Sequence, residues 1–428
     1  MGKCPQCGEW NTLIEVTAEP KSGGKARHTA PESFDSIRLV DISKKTCGID
    51  ELDRVLGGGI VCGSFVLVGG DPGIGKSTIM LQMSHELCKK GMKILYISGE
   101  ESAVQLKIRG ERLGVKGKDL YVYAEVMLED IKKQIEKLNP EIIIIDSIQS
   151  VFSSHLDAPP GSVSQVRHVA GALMSIAKGD NIPVFVIGHV TKDGWIAGPK
   201  ILEHMVDTVL YFEGDSSGAY RVLRATKNRF GPAGEIGIFE MKDTGLEEVR
   251  DPSGIFIHGL GGDLPGSAVM ATIEGSRVFV VEVQSLVTRT GFSMPRRVSI
   301  GVDMSRLSVL LAVMEKRSNI IMSASDVVVN IAGGIKVNEP GLDLALFMAL
   351  ASSALDKGIP KATVCVGEIG LNGEVRPVSR MEARLKEAQR MGFTHAVIPE
   401  SNAQSLVNIK GMKIIPVKGV IEALDVLN

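Results

Sequence analysis

Gly70-Asp71-Pro72-Gly73-Ile74-Gly75-Lys76-Ser77 decides how this chain is read. It is a complete G-x-x-x-x-G-K-[ST] that follows the apolar run Phe65 to Val68 and precedes a stretch of helical pattern starting near Lys76. Glycines let successive backbone N–H groups curl around phosphate oxygens, and a helix N-terminus adds partial positive charge. Gly70 to Thr78 are therefore expected to cradle ATP, with Lys76 reaching the β- and γ-phosphates and Ser77 holding Mg2+. A Gly-rich turn could match by chance, but the strand, loop and helix context argues against it.

Outward from this loop the pattern repeats. Ile94 to Ile97, Ile142 to Ile145 and Val184 to Ile187 are short apolar runs alternating with amphipathic stretches of helical length. That is the rhythm of an α/β fold with a parallel sheet covered on both faces. Such sheets bind ligands at the carboxyl ends of their strands. Asp146 ends one run and is expected to orient Mg2+ through its water; alone it reads equally well as a strand-terminal cap. Ser98-Gly99-Glu100-Glu101-Ser102 ends another, and Glu100 is the candidate for orienting or deprotonating water, with Glu101 the fallback. Both glutamates also suit the first turn of a following helix. Two more polar clusters follow strands: Gly188-His189-Val190-Thr191-Lys192, where His189 would sense a γ-phosphate or serve structure, and Lys227-Asn228-Arg229-Phe230-Gly231. Lys227 and Arg229 lie far along the chain from the P-loop and would act on the nucleotide of a neighbouring subunit or form a solvated turn.

Composition bounds these readings. A chain of 428 residues suits two or three domains, and 44% hydrophobic with 23% charged residues is ordinary globular usage. A formal net charge of -2 excludes a strongly basic, histone-like molecule and leaves room for a local basic channel. Aromatics at 4% leave little for base stacking, whereas 48 glycines suit βα turns. No apolar run approaches the ~18 residues of a membrane span. The start Met1-Gly2-Lys3-Cys4 is too polar for a signal peptide, and Gln6 breaks the myristoylation pattern. A cytoplasmic location is expected, so the six cysteines read as metal ligands or buried thiols. After the charged turn Asp243 to Pro252 the rhythm changes: Val278 to Val283 reads as a strand, and Met304 to Lys316, Gly341 to Leu355 and Ser379 to Met391 as helices. The expected division is a cysteine knuckle over 1–12, a linker over 13–45, the ATPase domain over 46–250 and an α+β domain over 256–428.

These residues together resemble the bacterial RadA (Sms) DNA-repair ATPases of the RecA superfamily. The matching stretches are Thr46 to Gly59, the P-loop, Ser98 to Ser102 and the pentapeptide Lys227 to Gly231, the most specific of them. The carboxyl-terminal part resembles the proteolytic domain of Lon. The resemblance implies a RecA-like core, single-stranded DNA binding, and ATP-driven branch migration of recombination intermediates alongside RecA in a hexameric ring. It implies that Lys227 and Arg229 couple nucleotide to DNA, and that 152–168 and 191–204, with Arg167, His168, Lys192 and Lys200, face DNA. The alternatives are an ATP switch controlling assembly without motor activity, and an ATP-dependent protease.

Two departures stand out. The family opens with a four-cysteine zinc ribbon, whereas only Cys4 and Cys7 are present here, and two thiolates do not close a tetrahedral Zn2+ shell. Either the chain starts downstream of the first pair or this homologue has lost the site. Cys47, Cys62, Cys88 and Cys365 read as buried thiols. Lon-type proteolysis needs a Ser nucleophile and a Lys base; Gly341 and Glu382 stand at those positions, so no peptide cleavage is expected. Ser379 and Glu382 have the spacing of a capping box. Arg289, Arg296, Arg297 and Arg306 are candidates for DNA contacts or for a solvated surface.

Overall fold

Runs of Ile and Val with no polar interruption build the first sheet. β1 (Phe65–Gly69), β2 (Ile94–Ser98), β4 (Ile142–Asp146) and β5 (Val184–Ile187) are buried along their whole length, and β3 (Leu120–Ala124) forms the edge. With β6 (Thr208–Glu213), β7 (Tyr220–Asn228), β8 (Ile236–Lys242) and β9 (Gly245–Glu248) they make nine strands in the order β3-β2-β4-β5-β1-β6-β7-β8-β9. Pairing is parallel from β3 through β6 and antiparallel beyond. Alternate residues face opposite ways. Val66, Val68, Ile142 and Ile144 join the layer formed with α1 (Asp50–Val55), α2 (Lys76–Lys89) and α3 (Ala103–Arg112). Phe65, Leu67, Ile143 and Ile145 join the layer with α4 (Leu128–Leu138), α5 (Val163–Asp180) and α6 (Pro199–Met205). The computed structural model describes residues 44–188, 199–214, 220–251, 253–254, 257, 264–291, 294–334, 336–406 and 409–427.

The second sheet has seven strands in the order β12-β13-β11-β10-β14-β17-β18, from β10 (Ser267–Glu274), β11 (Arg277–Arg289), β12 (Arg297–Ile300), β13 (Ser325–Ile331), β14 (Thr363–Cys365), β17 (His395–Pro399) and β18 (Lys413–Val417). β15 (Glu368–Ile369) and β16 (Val375–Arg376) form a separate two-stranded pair. α7 (Met304–Ser318) and α8 (Leu342–Leu355) pack on one face of the seven-stranded sheet, with α8 buried on nearly every side. α9 (Met381–Arg390) packs on the other.

Ser43–Asn428 is one compact unit, so the two sheets share a boundary. The β10–β11 hairpin is its centre. Arg277 donates twice to the buried Glu51 carboxylate of α1, at 2.8 and 2.9 Å, and Glu235 accepts from Ser276. The Gly275 and Ser276 carbonyls accept from Arg380 at 3.1 and 2.9 Å.

Several expectations are corrected. The strand expected over Val278 to Val283 runs on to Arg289, because its far half pairs with β13. Ser379 and Glu382 do not form a capping box. Arg380 takes the left-handed conformation (φ 56°) at the cap position, Glu382 pairs with Lys386 at 2.6 Å, and the Ser379 carbonyl accepts from Arg384. The segment 152–168 is only partly loop, since α5 begins at Val163; Gln165 ties the preceding turn down through bonds to Ser153, Leu156 and Ala158. Cys47 and Cys365 are buried, but Cys62 and Cys88 are half-buried. No helix among the described residues is long and apolar enough to cross a membrane.

Candidate nucleotide site

The loop from Gly70 to Gly75 leaves the carboxyl end of β1 and enters α2, whose first turn holds neither a side-chain cap nor an acidic residue. A helix start of this kind presents unpaired N–H groups and the positive end of the helix dipole. Gly75 has φ +121°, and a Cβ there would lie 3.1 Å from both Leu246 Cδ1 and Met241 Cε. Conformation and space both select glycine at this point.

Lys76 is buried and folds back on the loop, donating to the carbonyls of Gly70 at 2.8 Å and Asp71 at 2.9 Å. Burial lowers its pKa, opposed by Asp146, Asp71 and Glu100. Asp146 ends β4 beside Ser98 of β2 and accepts from the buried Tyr96 hydroxyl at 2.6 Å. Burial, with the Asp146 charge next, pushes the Tyr96 phenol well above its ordinary value. Glu100 accepts from the Ser147 hydroxyl, and Glu101 pairs with Arg109. Pro72, Gly73, Gly75, Lys76, Ser77, Thr78, Glu100 and Asp146 all line one cleft of about 450 Å³.

The cleft also takes Arg109, Arg112, Arg221 and Met241, which the sequence did not single out. Arg109 and Arg112 follow a capped helix start at Ser102, where the Ser102 and Gln105 side chains bond each other's backbone amides, so the S-x-x-Q spacing was a usable signal. Arg221 and Met241 carry no local signal.

Lys227 and Arg229 are not in the cleft. β7 runs antiparallel to β6, which places Lys227 beside Val209, near the amino end of β6. The P-loop leaves the carboxyl end of the parallel strand β1, so the two lie at opposite ends of the sheet. Arg167 and His168 are exposed on the first turns of α5. His189, Thr191 and Lys192, together with Cys4 and Cys7, lie outside the described residues, as does the side chain of Lys200. Among the described residues no group of three or more His, Cys, Asp or Glu has the arrangement of a metal site.

In the second sheet Gly341 stands at the start of α8, and Glu382 points to solvent beside Lys386. Beside Gly341, Arg384 makes a bidentate pair with Glu339 at 2.7 and 2.5 Å and donates to the Ala271 carbonyl at 2.8 Å. Arg289 and Arg296 are exposed. Arg306, a candidate for DNA contact or for a solvated surface, is instead bound bidentately to the buried Asp343 and to the Ile369 carbonyl. Arg297 donates to the Met322 carbonyl at 2.9 Å.

Comparison with known proteins finds a family model in each half of the chain. Residues 30–195 match the family model described as an AAA domain, and residues 283–402 match that of subunit ChlI of Mg-chelatase. The chain is 46% identical over 432 residues to DNA repair protein RadA of Bacillus subtilis (strain 168), covering 99% of this chain and 94% of that one. It is 47% identical over 429 residues to DNA repair protein RadA of Listeria monocytogenes serovar 1/2a, covering 99% and 94%. For the RadA of Streptococcus pyogenes serotype M1 the figures are 46% over 431 residues, 99% and 95%. Likeness at that level along nearly the whole of each chain, through both sheets and the phosphate loop alike, places this chain in the RadA family of DNA repair proteins, within the P-loop ATPases.

Proposed function

We propose that the chain is a DNA-dependent ATPase that binds single-stranded DNA and drives branch migration of recombination intermediates, working with RecA as a homo-oligomeric, hexameric ring. The observation that carries the ATPase part is the uncapped start of α2 opening on a cleft with a buried lysine parked on two loop carbonyls. The DNA part is supported by the relatives, which are named DNA repair proteins.

In this reading the backbone N–H groups from Gly73 to Thr78 surround the phosphates, and the Lys76 ammonium moves from the carbonyls of Gly70 and Asp71 to the β- and γ-oxygens. Ser77 and Asp146 would hold Mg2+, which neutralises charge developing on the transferred phosphoryl group; a hydroxyl and a carboxylate suit that hard cation. Tyr96 fixes the Asp146 carboxylate. Glu100, held by the Ser147 hydroxyl at the mouth of the cleft, orients the attacking water and takes its proton. Arg289 and Arg296 are exposed and would meet DNA phosphates. The second sheet serves assembly rather than peptide cleavage, since Gly341 offers no nucleophile and Glu382 puts a carboxylate where Lon-type cleavage needs a lysine amine.

The test is ATP turnover with and without single-stranded DNA, beside three-strand exchange on synthetic DNA, for wild type and Lys76→Ala. Wild type is expected to be stimulated by DNA and to move the branch; Lys76→Ala is expected to do neither. Turnover indifferent to DNA, with oligomers that form and dissolve with nucleotide, would replace the motor with an assembly switch.

A further inference from the structure

Buried charge closes the boundary between the two sheets, and Glu51 of α1 is its node. The Glu51 side chain is 4% exposed, and its carboxylate accepts from Arg277 at 2.8 and 2.9 Å and from the Ile238 amide at 3.0 Å. The Glu51 amide in turn donates to Glu248 of β9 at 2.7 Å. Across the same boundary, Arg224 of β7 pairs with Glu213 and with Glu274 of β10. At Gly275 the hairpin runs so close to the first sheet that a Cβ would lie 2.8 Å from the Glu235 Cα.

Two lines of contact leave this node in opposite directions. One leads to the phosphate loop. Gln82 of α2 donates to the Leu246 carbonyl of β9 and accepts from the Leu246 amide, both at 3.0 Å. Leu246, with Met241 of β8, lies against Gly75 at the head of α2. The other line is β11 itself, which runs for 13 residues from Arg277 to Arg289, roughly 40 Å at about 3.3 Å per residue. It pairs with β10 over its first half and with β13 over its second. Arg277 is 12% exposed and locked to the first sheet, whereas Arg289 at the far end is exposed.

We propose that β11 is a lever between two ligands: the Glu51–Arg277 pair passes nucleotide occupancy of the cleft to Arg289, so that ATP and single-stranded DNA each raise the affinity of the other. Glu51, Arg277 and Gln82 are positioning residues that touch neither ligand. The proposal rests on the ATPase and DNA readings above.

Three physical points support it. Close-packed interiors transmit displacement instead of absorbing it, so a shift of the phosphate loop on binding is met by Leu246 and Met241. A buried carboxylate cannot release its guanidinium without leaving an uncompensated charge, so α1 and the head of β11 move together. A strand paired on both sides cannot slip by one residue without turning every side chain to the other face. In β11 that slip is blocked on both faces, by Phe279, Val281 and Val283 buried in the layer with α7 and α8 and by Val280 buried in the layer with α9. Motion at Arg277 therefore reaches Arg289, and coupling of this kind is reciprocal by thermodynamic necessity.

Four affinities of the full chain test the lever: labelled β,γ-imido-ATP with and without oligothymidylate, and labelled oligothymidylate with and without β,γ-imido-ATP. In wild type each ligand is expected to tighten the other at least about fivefold, by the same factor. Arg277→Met and Arg289→Ala are each expected to cut that factor by about half or more, and the double variant to cut it no further than either single. Residues so far apart otherwise act additively, so a boundary that only holds the fold together gives additive losses. Gln82→Leu, which cuts the route on the other side of Glu51, is expected to lose the same share. Should Arg277→Met not fold, Arg277→Met with Glu51→Gln removes both charges, keeps an acceptor for the Ile238 amide, and carries the same expectation. Wild type that binds both ligands with neither affecting the other overturns the proposal. So does an Arg277, Arg289 or Gln82 variant that folds and keeps the wild-type factor, and so do additive losses in the double variant. Oligothymidylate that does not bind at all would instead sink the DNA reading, and β,γ-imido-ATP that does not bind would sink the ATPase reading, each taking the lever with it.

Discussion

The helices α2 and α8 both begin at a glycine, and the spaces before them are used in opposite ways. α2 follows Gly75 and opens on a cleft whose buried cation, Lys76, rests on backbone carbonyls. α8 follows Gly341, but there the charges are already matched: Glu339 to Arg384 and Asp343 to Arg306. The first arrangement has an ammonium with no carboxylate in hydrogen-bond contact among the described residues, and so has electrostatic work left for an incoming anion. The second satisfies itself, which leaves nothing for a substrate to complete. A site capable of binding is one whose charges the fold leaves unsettled.

The largest expected break in this contrast is Arg384→Met. It strands Glu339, whose side chain is 16% exposed, and should cost about 3–5 kcal/mol of stability, read from chemical denaturation. A loss below about 1 kcal/mol would mean the pair does not close that site. Next come the two glycines. Gly75→Ala forces a side chain into φ +121° against Leu246 and Met241, and about 1–3 kcal/mol of strain should appear as weaker ATP affinity by titration. Gly341→Ala is expected to change stability by no more than about 0.5 kcal/mol, because its backbone is helical and the nearest atoms lie 3.5 Å from a new Cβ. Gly341→Ser should likewise fold and cleave no casein. Equal effects from the two alanines would erase the distinction.

The smallest effect is on acid stability. Arg390 holds Glu387 and Asp251 below the usual carboxylate range. A carboxylate depressed in the fold contributes stability above its ordinary pKa and loses it as pH falls through the depressed value. Arg390→Met should therefore flatten the acid limb of stability against pH. An unchanged acid limb would count against that cluster.

Much of the first region is local and was legible. A strand, a Gly-rich turn and a helix start are contiguous, and the Ile-rich runs ending at Ser98 and Asp146 point to the same edge because parallel strands share a direction. The second region was misread where local spacing competed with distant partners. Ser379 and Glu382 have the capping pattern, yet Arg380 reaches the hairpin carbonyls of Gly275 and Ser276 and turns the chain left-handed before the helix begins. Arg306 looked like a free surface cation because Asp343 is 37 residues away.

Sequence by itself determined the phosphate loop, the buried parallel strands and the acids at their ends, because each follows from residues within a few positions of one another. Only tertiary structure decided which charges remain open. It put Lys76 on carbonyls, closed Arg384 and Arg306 onto carboxylates, and set Lys227 and Arg229 at the far end of the sheet from the P-loop. An ion pair is fixed by distance in space and by burial, and neither is written in the spacing along the chain.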